Sequence, residues 1–186
     1  MVKLMKFVVL TAVLCCFLPT MATATFWGDW GRVDNCPQGE RAIGFLLKTE
    51  PDQRDSDDTA LNAIAFICSG GSKILSTEGL WGNWGSEIRC PSGSWLTSCQ
   101  LRVEPKQGDG DDTAANNLNC KCSNGETLRG DGASWGDWNA WSSPCENGIM
   151  AIQTRVEGNQ GKRDDTALND VSFTCFPKRK IQEALE

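Results

Sequence analysis

Carboxylates, amides and indole rings are the side chains of this sequence that are suited to binding or catalysis. A polar set, Glu-x-x-Gln-x-x-x-Asp-Asp-Thr-Ala-x-Asn, occurs three times, at residues 50–62, 104–116 and 157–169. Its carboxylates and amides could hydrogen-bond the hydroxyls of a sugar, and a tryptophan could stack on a sugar ring. The candidate ligand-binding residues are acids of this set and two tryptophans without counterparts in the repeats: Glu50, Glu104, Glu157, Asp58, Asp112, Asp165, Trp95 and Trp141.

The composition removes several kinds of site. The 186 residues include no histidine, which excludes Ser-His-Asp and Cys-His catalytic units and histidine-ligated zinc. With 24 acidic and 18 basic residues, the chain lacks the electrostatic footprint of a nucleic-acid binder. Residues 109–112 offer clustered oxygen ligands for calcium, but the complete calcium-loop pattern is missing. We expect no metal, no cofactor and no nucleic-acid partner, and we assign no catalytic residue.

Residues 1–24 have the pattern of a secretory signal peptide. Lys3 and Lys6 precede an apolar run from Phe7 to Leu18, and Ala22-Thr23-Ala24 is a small-x-small cleavage sequence. The run is too short to span a bilayer as a helix, so we expect a secreted, extracellular protein with no membrane anchor. Cleavage after Ala24 leaves eight of the ten cysteines, and eight cysteines in a secreted chain predict four disulfides.

The remaining sequence repeats with a period of about 54 residues. Each unit opens on Trp-Gly-x-Trp and continues through a cysteine turn and a basic-x-Glu triplet to the polar set. It then closes with an apolar run into a second cysteine. We expect a single domain over residues 25–177, made of units at about 27–80, 81–134 and 135–177, followed by a tail at 178–186.

The hydrophobic periodicity inside each unit is two, which indicates β-strands with one buried face. Apolar residues alternate from Ile43 to Leu47 and again from Ile64 to Cys68, with matching places in the other units. Turn-forming Gly, Pro, Asn and Asp separate these runs, and no segment has a convincing amphipathic helical pattern. The sequence therefore predicts an all-β fold, with one sheet per repeat, closed by pseudo-threefold symmetry.

Alignment of the repeats also predicts how the cysteines pair. Cysteines that recur in every unit most simply pair within it, giving Cys36–Cys68, Cys90–Cys122 and Cys145–Cys175. The other two, Cys99 and Cys120, stand where the first unit has Phe45 and Phe66. Two apolar side chains that face each other across a sheet are replaced there by two that can bond, so we expect Cys99–Cys120.

Together these motifs resemble the vitelline membrane outer layer protein I family. The resemblance covers Thr25 to Pro177 and is carried by three units with Trp-Gly-x-Trp, Asp-Asp-Thr-Ala-x-Asn and a cysteine pair. Small departures occur at Ala115, Asn139 and Glu146. The resemblance implies a β-prism with three Greek-key sheets as walls. It further implies an extracellular protein of egg coats and secreted fluids, associated with glycoproteins and with N-acetylglucosamine-type oligosaccharides.

Three functions are compatible with these residues. The leading one is a secreted, monomeric structural or interaction protein without enzymatic activity, in which Asp and Asn cap turns and the tryptophans fill the prism axis or its ends. The second is a lectin-like binder of N-acetylglucosamine-type oligosaccharides, with Trp95 and Trp141 as stacking platforms. The third is a carboxylate-dependent transglycosidase, which needs two carboxylates about 5–9 Å apart.

Overall fold

The computed structural model describes residues 27–50, 60–104, 115–158 and 167–178. Within these ranges the chain forms strands and turns but no helix, which confirms the all-β expectation. The predicted signal peptide lies outside the described residues, and the domain boundaries stay predictions. The strands are β1 (Asp29–Trp30), β2 (Asp34–Asn35), β3 (Ala42–Thr49), β4 (Leu61–Cys68), β5 (Lys73–Leu75), β6 (Asn83–Trp84), β7 (Ile88–Arg89), β8 (Leu96–Val103), β9 (Ala115–Cys122), β10 (Thr127–Arg129), β11 (Asp137–Trp138), β12 (Ile149–Val156) and β13 (Leu168–Cys175).

Each repeat contributes one long antiparallel hairpin. β3 pairs with β4, β8 with β9 and β12 with β13, and each of these strands has eight residues. The register of every hairpin shifts near both ends, in the first case between Ala42 and Gly44 and between Lys48 and Thr49. Such bulges increase the local twist of a strand pair, and this helps the three sheets to curl around a common axis.

The three sheets exchange short strands, which corrects the expectation of one sheet per repeat. β6 and β7, from the start of the second repeat, pair with β3 of the first. β11, from the start of the third repeat, pairs with β8 of the second. β1 and β2, from the start of the first repeat, pair with β12 of the third and close the ring. A hairpin leaves the outer edge of its first strand unpaired, and the exchanged strands satisfy that edge.

The third sheet differs from the other two at the edge formed by the second strand of its hairpin. β5 lies beside β4 and β10 beside β9, so the second strand of these two hairpins has neighbours on both sides. Within the described residues, β13 has no such neighbour. Ser172, Thr174 and Cys175 of β13 are exposed, whereas all eight residues of β4 are buried. The pseudo-threefold symmetry is therefore incomplete at this edge.

The main core lies along the pseudo-threefold axis and receives side chains from all three sheets. Phe45 and Phe66 face each other in the first sheet, and Phe66 stacks on Phe173 of the third sheet with ring centroids 5.5 Å apart. Cys99 and Cys120 take the facing positions in the second sheet and form a disulfide. The replacement of an aromatic pair by a bonded pair is thus as the sequence predicted.

The first sheet also buries residues on its outer face, contrary to the expectation of one buried face per strand. Leu46, Ala65 and Ile67 form a second apolar cluster, with Ile43 and Leu75 packed against it. The register shift at the start of β3 accompanies the placement of Ile43 in this cluster rather than in the main core. Strict alternation in the sequence could not reveal that bulge.

The two ends of the prism carry different repeated features. The four disulfides are the expected pairs, Cys36–Cys68, Cys90–Cys122, Cys145–Cys175 and Cys99–Cys120. The first three lie where β3, β8 and β12 begin and their hairpin partners finish, and we name this region the cysteine end. At the opposite, tryptophan end, the Trp-Gly-x-Trp segments pair with the last residues of β3, β8 and β12.

Candidate functional sites

At the tryptophan end, a basic residue clamps the Trp-Gly-x-Trp segment that joins its sheet. Arg155 Nε donates a hydrogen bond to the carbonyl oxygen of Gly28 over 3.0 Å. The guanidinium carbon lies 5.7 Å from the centroid of Trp30, a cation–π contact. Arg102 makes the same two contacts in the second sheet. The basic residue of the basic-x-Glu triplet therefore has a structural role in these two sheets.

Lys48 takes this position in the first sheet and binds a different part of the chain. Its Nζ donates a hydrogen bond to the carbonyl oxygen of Gly79 over 2.9 Å and lies 3.9 Å from a carboxylate oxygen of Glu78. Lys48 is buried. It therefore anchors the linker that leads into Trp81.

The glycine of each Trp-Gly-x-Trp motif is required by a neighbouring backbone. Gly28, Gly82 and Gly136 all have φ between +73° and +82°. A β-carbon on any of them would come within 2.4 Å of backbone atoms at the end of the long strand beside it. No side chain fits there, and only glycine adopts this φ without strain. The motif therefore permits the close approach that strand exchange needs.

Most of the repeated tryptophans lie at the surface. Trp27, Trp30, Trp81, Trp84 and Trp138 are 38–50% exposed. Of the two places expected for the tryptophans, the prism axis is occupied instead by phenylalanine, aliphatic side chains and cysteine, and the Trp-Gly-x-Trp segments lie at one end of the prism. Exposed rings of this size provide an apolar surface that a partner can contact.

A cavity of about 290 Å³ lies at the tryptophan end, between the first and third sheets. Leu80 and Trp81 give it an apolar wall, and Glu78 and Glu157 add carboxylates. The side-chain oxygen of Asn62 accepts a hydrogen bond from the Trp81 backbone N–H over 3.2 Å, which holds this wall in place. An apolar wall beside carboxylates can pack on a sugar ring and accept hydrogen bonds from its hydroxyls.

The predicted ligand-binding acids are only partly brought to this cavity. Glu157 lines it, whereas Glu50 and Glu104 follow β3 and β8 at the same end without lining it. The backbone N–H groups of Glu50 and Glu157 donate hydrogen bonds to the carbonyl oxygens of Ala60 and Ala167, each over 2.8 Å. These bonds join the described residues on either side of the polar set in the first and third repeats. The loop acids lie outside the described residues: Asp58, Asp112 and Asp165.

At the cysteine end, three equivalent positions carry three different residues. Arg41, Trp95 and Gly148 immediately precede β3, β8 and β12. They meet at the axis, where the guanidinium carbon of Arg41 lies 4.9 Å from the Trp95 ring centroid. A β-carbon at Gly148 would lie 2.6 Å from Trp95 and 2.8 Å from Arg41. The glycine of the third repeat therefore makes room for the residues of the other two.

Arg41 is held in place by groups from the second and third repeats. Its Nε donates a hydrogen bond to the carbonyl oxygen of Asn147 over 2.6 Å. Its guanidinium carbon also lies 4.4 Å from the ring centroid of Phe176, so that both Phe176 and Trp95 contact the cation. A cavity of about 390 Å³ adjoins this cluster and is lined by Arg41, Trp95, Pro91 and neighbouring residues.

The two tryptophans without counterparts are not brought together. Trp95 lines the cysteine-end cavity, and Trp141 does not. Trp141 belongs to the second sheet region, where Lys121 Nζ lies 4.4 Å from its ring centroid. Each of these rings already contacts a cation of the protein, which supports its position whether or not a ligand binds.

Asp170 is a partly buried carboxyl whose pKa is raised above its ordinary value. Burial raises the pKa of its carboxyl, while a hydrogen bond from the Val171 N–H and the charge of Arg155 lower it. The other sheets have the uncharged residues Asn117 and Ala63 at this position. Asp170 lines neither the tryptophan-end nor the cysteine-end cavity.

The described ranges place no group of three His, Cys, Asp or Glu side chains where they could hold a metal ion. The aspartates weighed as calcium ligands, at residues 109–112, lie outside those ranges. In both cavities, the side chains available to bind a ligand are hydrogen-bonding groups next to apolar surfaces. That combination is suited to binding a polar organic molecule with an apolar face.

Sequence reasoning missed Arg41 and Phe176. The available signal was the alignment itself, because Arg41 occupies the place of Trp95 in units that otherwise match closely. Phe176 follows the last cysteine and has no repeated pattern to mark it. Neither residue could be assigned to a site before the three repeats were seen to meet at one axis.

Comparison with known proteins gives consistent matches over most of the chain. Residues 18–178 match the family model of vitelline membrane outer layer protein I (VOMI). The chain is 45% identical over 156 residues to the vitelline membrane outer layer protein 1 homolog of Homo sapiens, covering 80% of this chain and 77% of that protein. It is 43% identical over 156 residues to the Mus musculus homolog, covering 80% and 78%.

Two solved lectin structures have a similar fold. A prostate-specific WGA16 glycoprotein lectin matches with a TM-score of 0.56 and 12% identity, covering 84% of this chain and 96% of the lectin. Calystegia sepium agglutinin matches with a TM-score of 0.52 and 12% identity, covering 81% and 90%. At this level of identity the similarity concerns the fold, and it confirms the β-prism expectation.

Proposed function

Because the chain belongs to the vitelline membrane outer layer protein I family, we propose that it is a secreted, monomeric protein of an extracellular coat or fluid that binds the carbohydrate of glycoproteins. Family membership supports the extracellular setting, and four disulfides suit an oxidising compartment. In the part of the chain that is described, no helix is long and apolar enough to cross a membrane. The rigid prism acts as a scaffold that presents its binding surfaces.

The observation that carries this proposal is the tryptophan-end cavity. Trp81 supplies a flat apolar face, and Glu78 and Glu157 supply hydrogen-bond acceptors beside it. A pyranose ring has the complementary chemistry, because its C–H face is apolar and its hydroxyls donate hydrogen bonds. N-acetylglucosamine-type sugars are candidate ligands because their acetyl methyl group adds apolar surface for Leu80.

One such site binds a sugar weakly, so several contacts are needed for a useful affinity. A millimolar dissociation constant corresponds to about 4 kcal/mol of binding free energy. Trp30 and Trp138 expose further rings on the other two sheets. A branched or repeated glycan can contact more than one of them, and linked contacts raise the overall avidity without any single strong site.

A titration with an N-acetylglucosamine hexamer tests this proposal. We expect millimolar binding, seen as quenching of tryptophan fluorescence, and a loss of affinity of about fivefold or more in Trp81→Ala. Trp84→Ala is the matched comparison and should cost less affinity than Trp81→Ala, because Trp84 is similarly exposed at the same end but does not line the cavity. Absence of binding at about 10 mM hexamer, or equal losses in both variants, would contradict the proposal.

A second candidate function is transglycosylation, which the presence of two carboxylates in one cavity favours. Glycoside-cleaving enzymes use such a pair as acid and as nucleophile or base. Mass spectrometry of the hexamer after prolonged incubation tests it. New chain lengths that disappear in Glu78→Gln and in Glu157→Gln would establish turnover at this cavity. Recovery of unchanged hexamer would reject it and leave binding as the function of the site.

A further inference from the structure

The cysteine-end cavity contains hydrogen-bond donors that have no acceptor among the described residues. Arg41 Nε binds the carbonyl oxygen of Asn147. Its two terminal nitrogens form neither a hydrogen bond nor an ion pair within the described ranges. The indole N–H of Trp95 is buried and also has no partner there. A buried or half-buried donor without an acceptor is costly, which points to an acceptor from outside the chain.

Among the described residues, no carboxylate lines this cavity. Apart from Arg41 and Trp95, the lining consists of apolar or small residues and three serines, Ser69, Ser92 and Ser94. Glu40 precedes Arg41 in the chain but accepts a hydrogen bond from the Gly70 N–H over 2.8 Å and does not line the cavity. In a chain with more acidic than basic residues, an arginine that forms no ion pair with any described residue can bind an external anion.

The contacts of Arg41 fix which atoms a ligand can reach. Trp95 and Phe176 contact the guanidinium, and the bond to Asn147 fixes the Nε side. The terminal nitrogens remain as a planar fork, the geometry that matches the paired oxygens of a carboxylate, sulfate or phosphate. Because the guanidinium is already held, little additional side-chain entropy is lost when an anion binds.

We propose that the cysteine-end cavity binds the acidic group of a charged saccharide, either the carboxylate of an acidic sugar or a sulfate ester. Arg41 binds two oxygens of that group. The hydroxyls of Ser92 and Ser94, which make no side-chain hydrogen bond within the described residues, bind the remaining oxygen or a ring hydroxyl. Pro91 contacts the apolar part of the sugar. The saccharide part of this inference rests on the proposed function, whereas the anion part rests on Arg41.

The site depends on the loss of threefold symmetry. A second arginine in place of Trp95 would repel Arg41, and any side chain at Gly148 would collide with both. One cation, one aromatic ring and one glycine are therefore needed together at the positions that directly precede β3, β8 and β12. This requirement gives a physical reason for the different residues at the first two positions. In the third unit the cysteine turn is also two residues shorter, because Gly148 follows Cys145 by three residues whereas Arg41 follows Cys36 by five.

Titration with matched sugars tests the site in the whole protein. The probes are 3′-sialyllactose, 3′-sulfolactose, lactose and sodium sulfate, followed through the Trp95 indole N–H signal by NMR, with Trp95→Phe used for assignment. We expect both acidic sugars to bind about tenfold or more tightly than lactose. Arg41→Gln should remove this difference, and Arg41→Lys should weaken it because lysine lacks the fork.

Arg102→Gln is the matched control, because Arg102 also contacts a tryptophan and a backbone carbonyl, but at the opposite end. It should leave the affinity for the acidic sugars unchanged within about twofold. Thermal unfolding of each variant shows whether it is folded. Should Arg41→Gln fail to fold, the wild-type comparison of acidic sugars with lactose and the Arg41→Lys variant decide the question.

Each remaining outcome overturns a defined part of the inference. Equal affinity for lactose and its acidic derivatives rejects the anion site but leaves the proposed carbohydrate binding intact. Acidic-sugar binding that persists in folded Arg41→Gln rejects the location. If sodium sulfate binds as tightly as 3′-sulfolactose, the site recognises the anion alone and the saccharide part of the proposal is rejected. If none of the four probes moves the Trp95 signal, the inference fails, while the hexamer titration decides the proposed function separately.

Discussion

The cysteine end and the tryptophan end come from the same repeat but keep its symmetry to different extents. At the tryptophan end, the same glycine meets the same backbone in every unit, and two arginines make equivalent clamps. At the cysteine end the disulfides repeat, but Arg41, Trp95 and Gly148 do not. Residues that recur three times serve the scaffold, which needs each part three times. Residues that differ can form a single site for an asymmetric ligand.

The same glycine-to-alanine substitution should destabilise the tryptophan end much more than the cysteine end. Gly82→Ala places a β-carbon 2.4 Å from backbone atoms of Thr49, so we expect a loss of about 4 kcal/mol in the free energy of unfolding. Gly93→Ala, at the cysteine end, has nearly the same φ but no atom within 4 Å of the new carbon, so the loss should be about 1 kcal/mol. Urea unfolding measures both. Similar losses of unfolding free energy in the two variants would show that the positive φ, and not the backbone contact, is the reason for glycine at position 82.

Removal of a cysteine-end disulfide should weaken that end selectively. For Cys90→Ala/Cys122→Ala, whose bond spans 32 residues, we expect about 3 kcal/mol of destabilisation. Amide hydrogen exchange should become faster near Trp95 and stay slow in the strand pairing of Trp138, at the other end. Uniformly faster exchange along the second sheet would instead indicate that the two ends unfold as one unit.

Equivalent arginine clamps should contribute equally to stability. Arg102→Gln and Arg155→Gln each lose a hydrogen bond to a glycine carbonyl and a cation–π contact, which together should cost about 1–2 kcal/mol. Thermal and urea unfolding of the two variants check this. Losses that differ by more than about 1 kcal/mol would contradict functional equivalence of the clamps.

Asp170, beside the Arg155 clamp, should affect stability only slightly. Because its folded-state pKa is raised, its charge destabilises the fold at neutral pH, and the penalty decreases as pH falls through that pKa. Asp170→Asn, which installs the second-sheet residue, should raise the free energy of unfolding at pH 7 by less than about 1 kcal/mol. The gain should vanish below about pH 3.8, the ordinary value. A gain that is independent of pH would rule out burial of the charge as its cause.

The repeated features of this fold could be predicted from the sequence because each is local or occurs three times. The strand runs, the all-β class and the disulfide partners follow from period-two alternation and from alignment of the units. Cys99 and Cys120 were identifiable because they replace an aromatic pair at matching positions. The same argument marked the tryptophan motif as important but left open whether its rings fill the prism axis or its ends, because a repeat gives no information on which face of the chain is exposed.

Strand exchange and the cysteine-end cluster could not be predicted, because both depend on contacts between distant residues. A repeat shows that Trp-Gly-x-Trp starts every unit, but not which hairpin the segment joins. Two-residue strands such as β1 and β6 also carry too little pattern to define a partner. Arg41 and Asn147 are 106 residues apart, and their contact exists only once the ring is closed.

Closure of the ring also has a consequence for the order of events during synthesis. β6, β7 and β11 are synthesised soon after the hairpins with which they pair. In contrast, β1 can pair only after β12 has been synthesised. The hydrogen bond between Gly28 and Arg155 accordingly joins residues that are 127 positions apart. The first strand made is therefore among the last to pair. Until then its segment, with Trp27 and Trp30, is an unpaired edge in a long-range topology that folds slowly, and it is the part that a chaperone or a neighbouring nascent chain can reach.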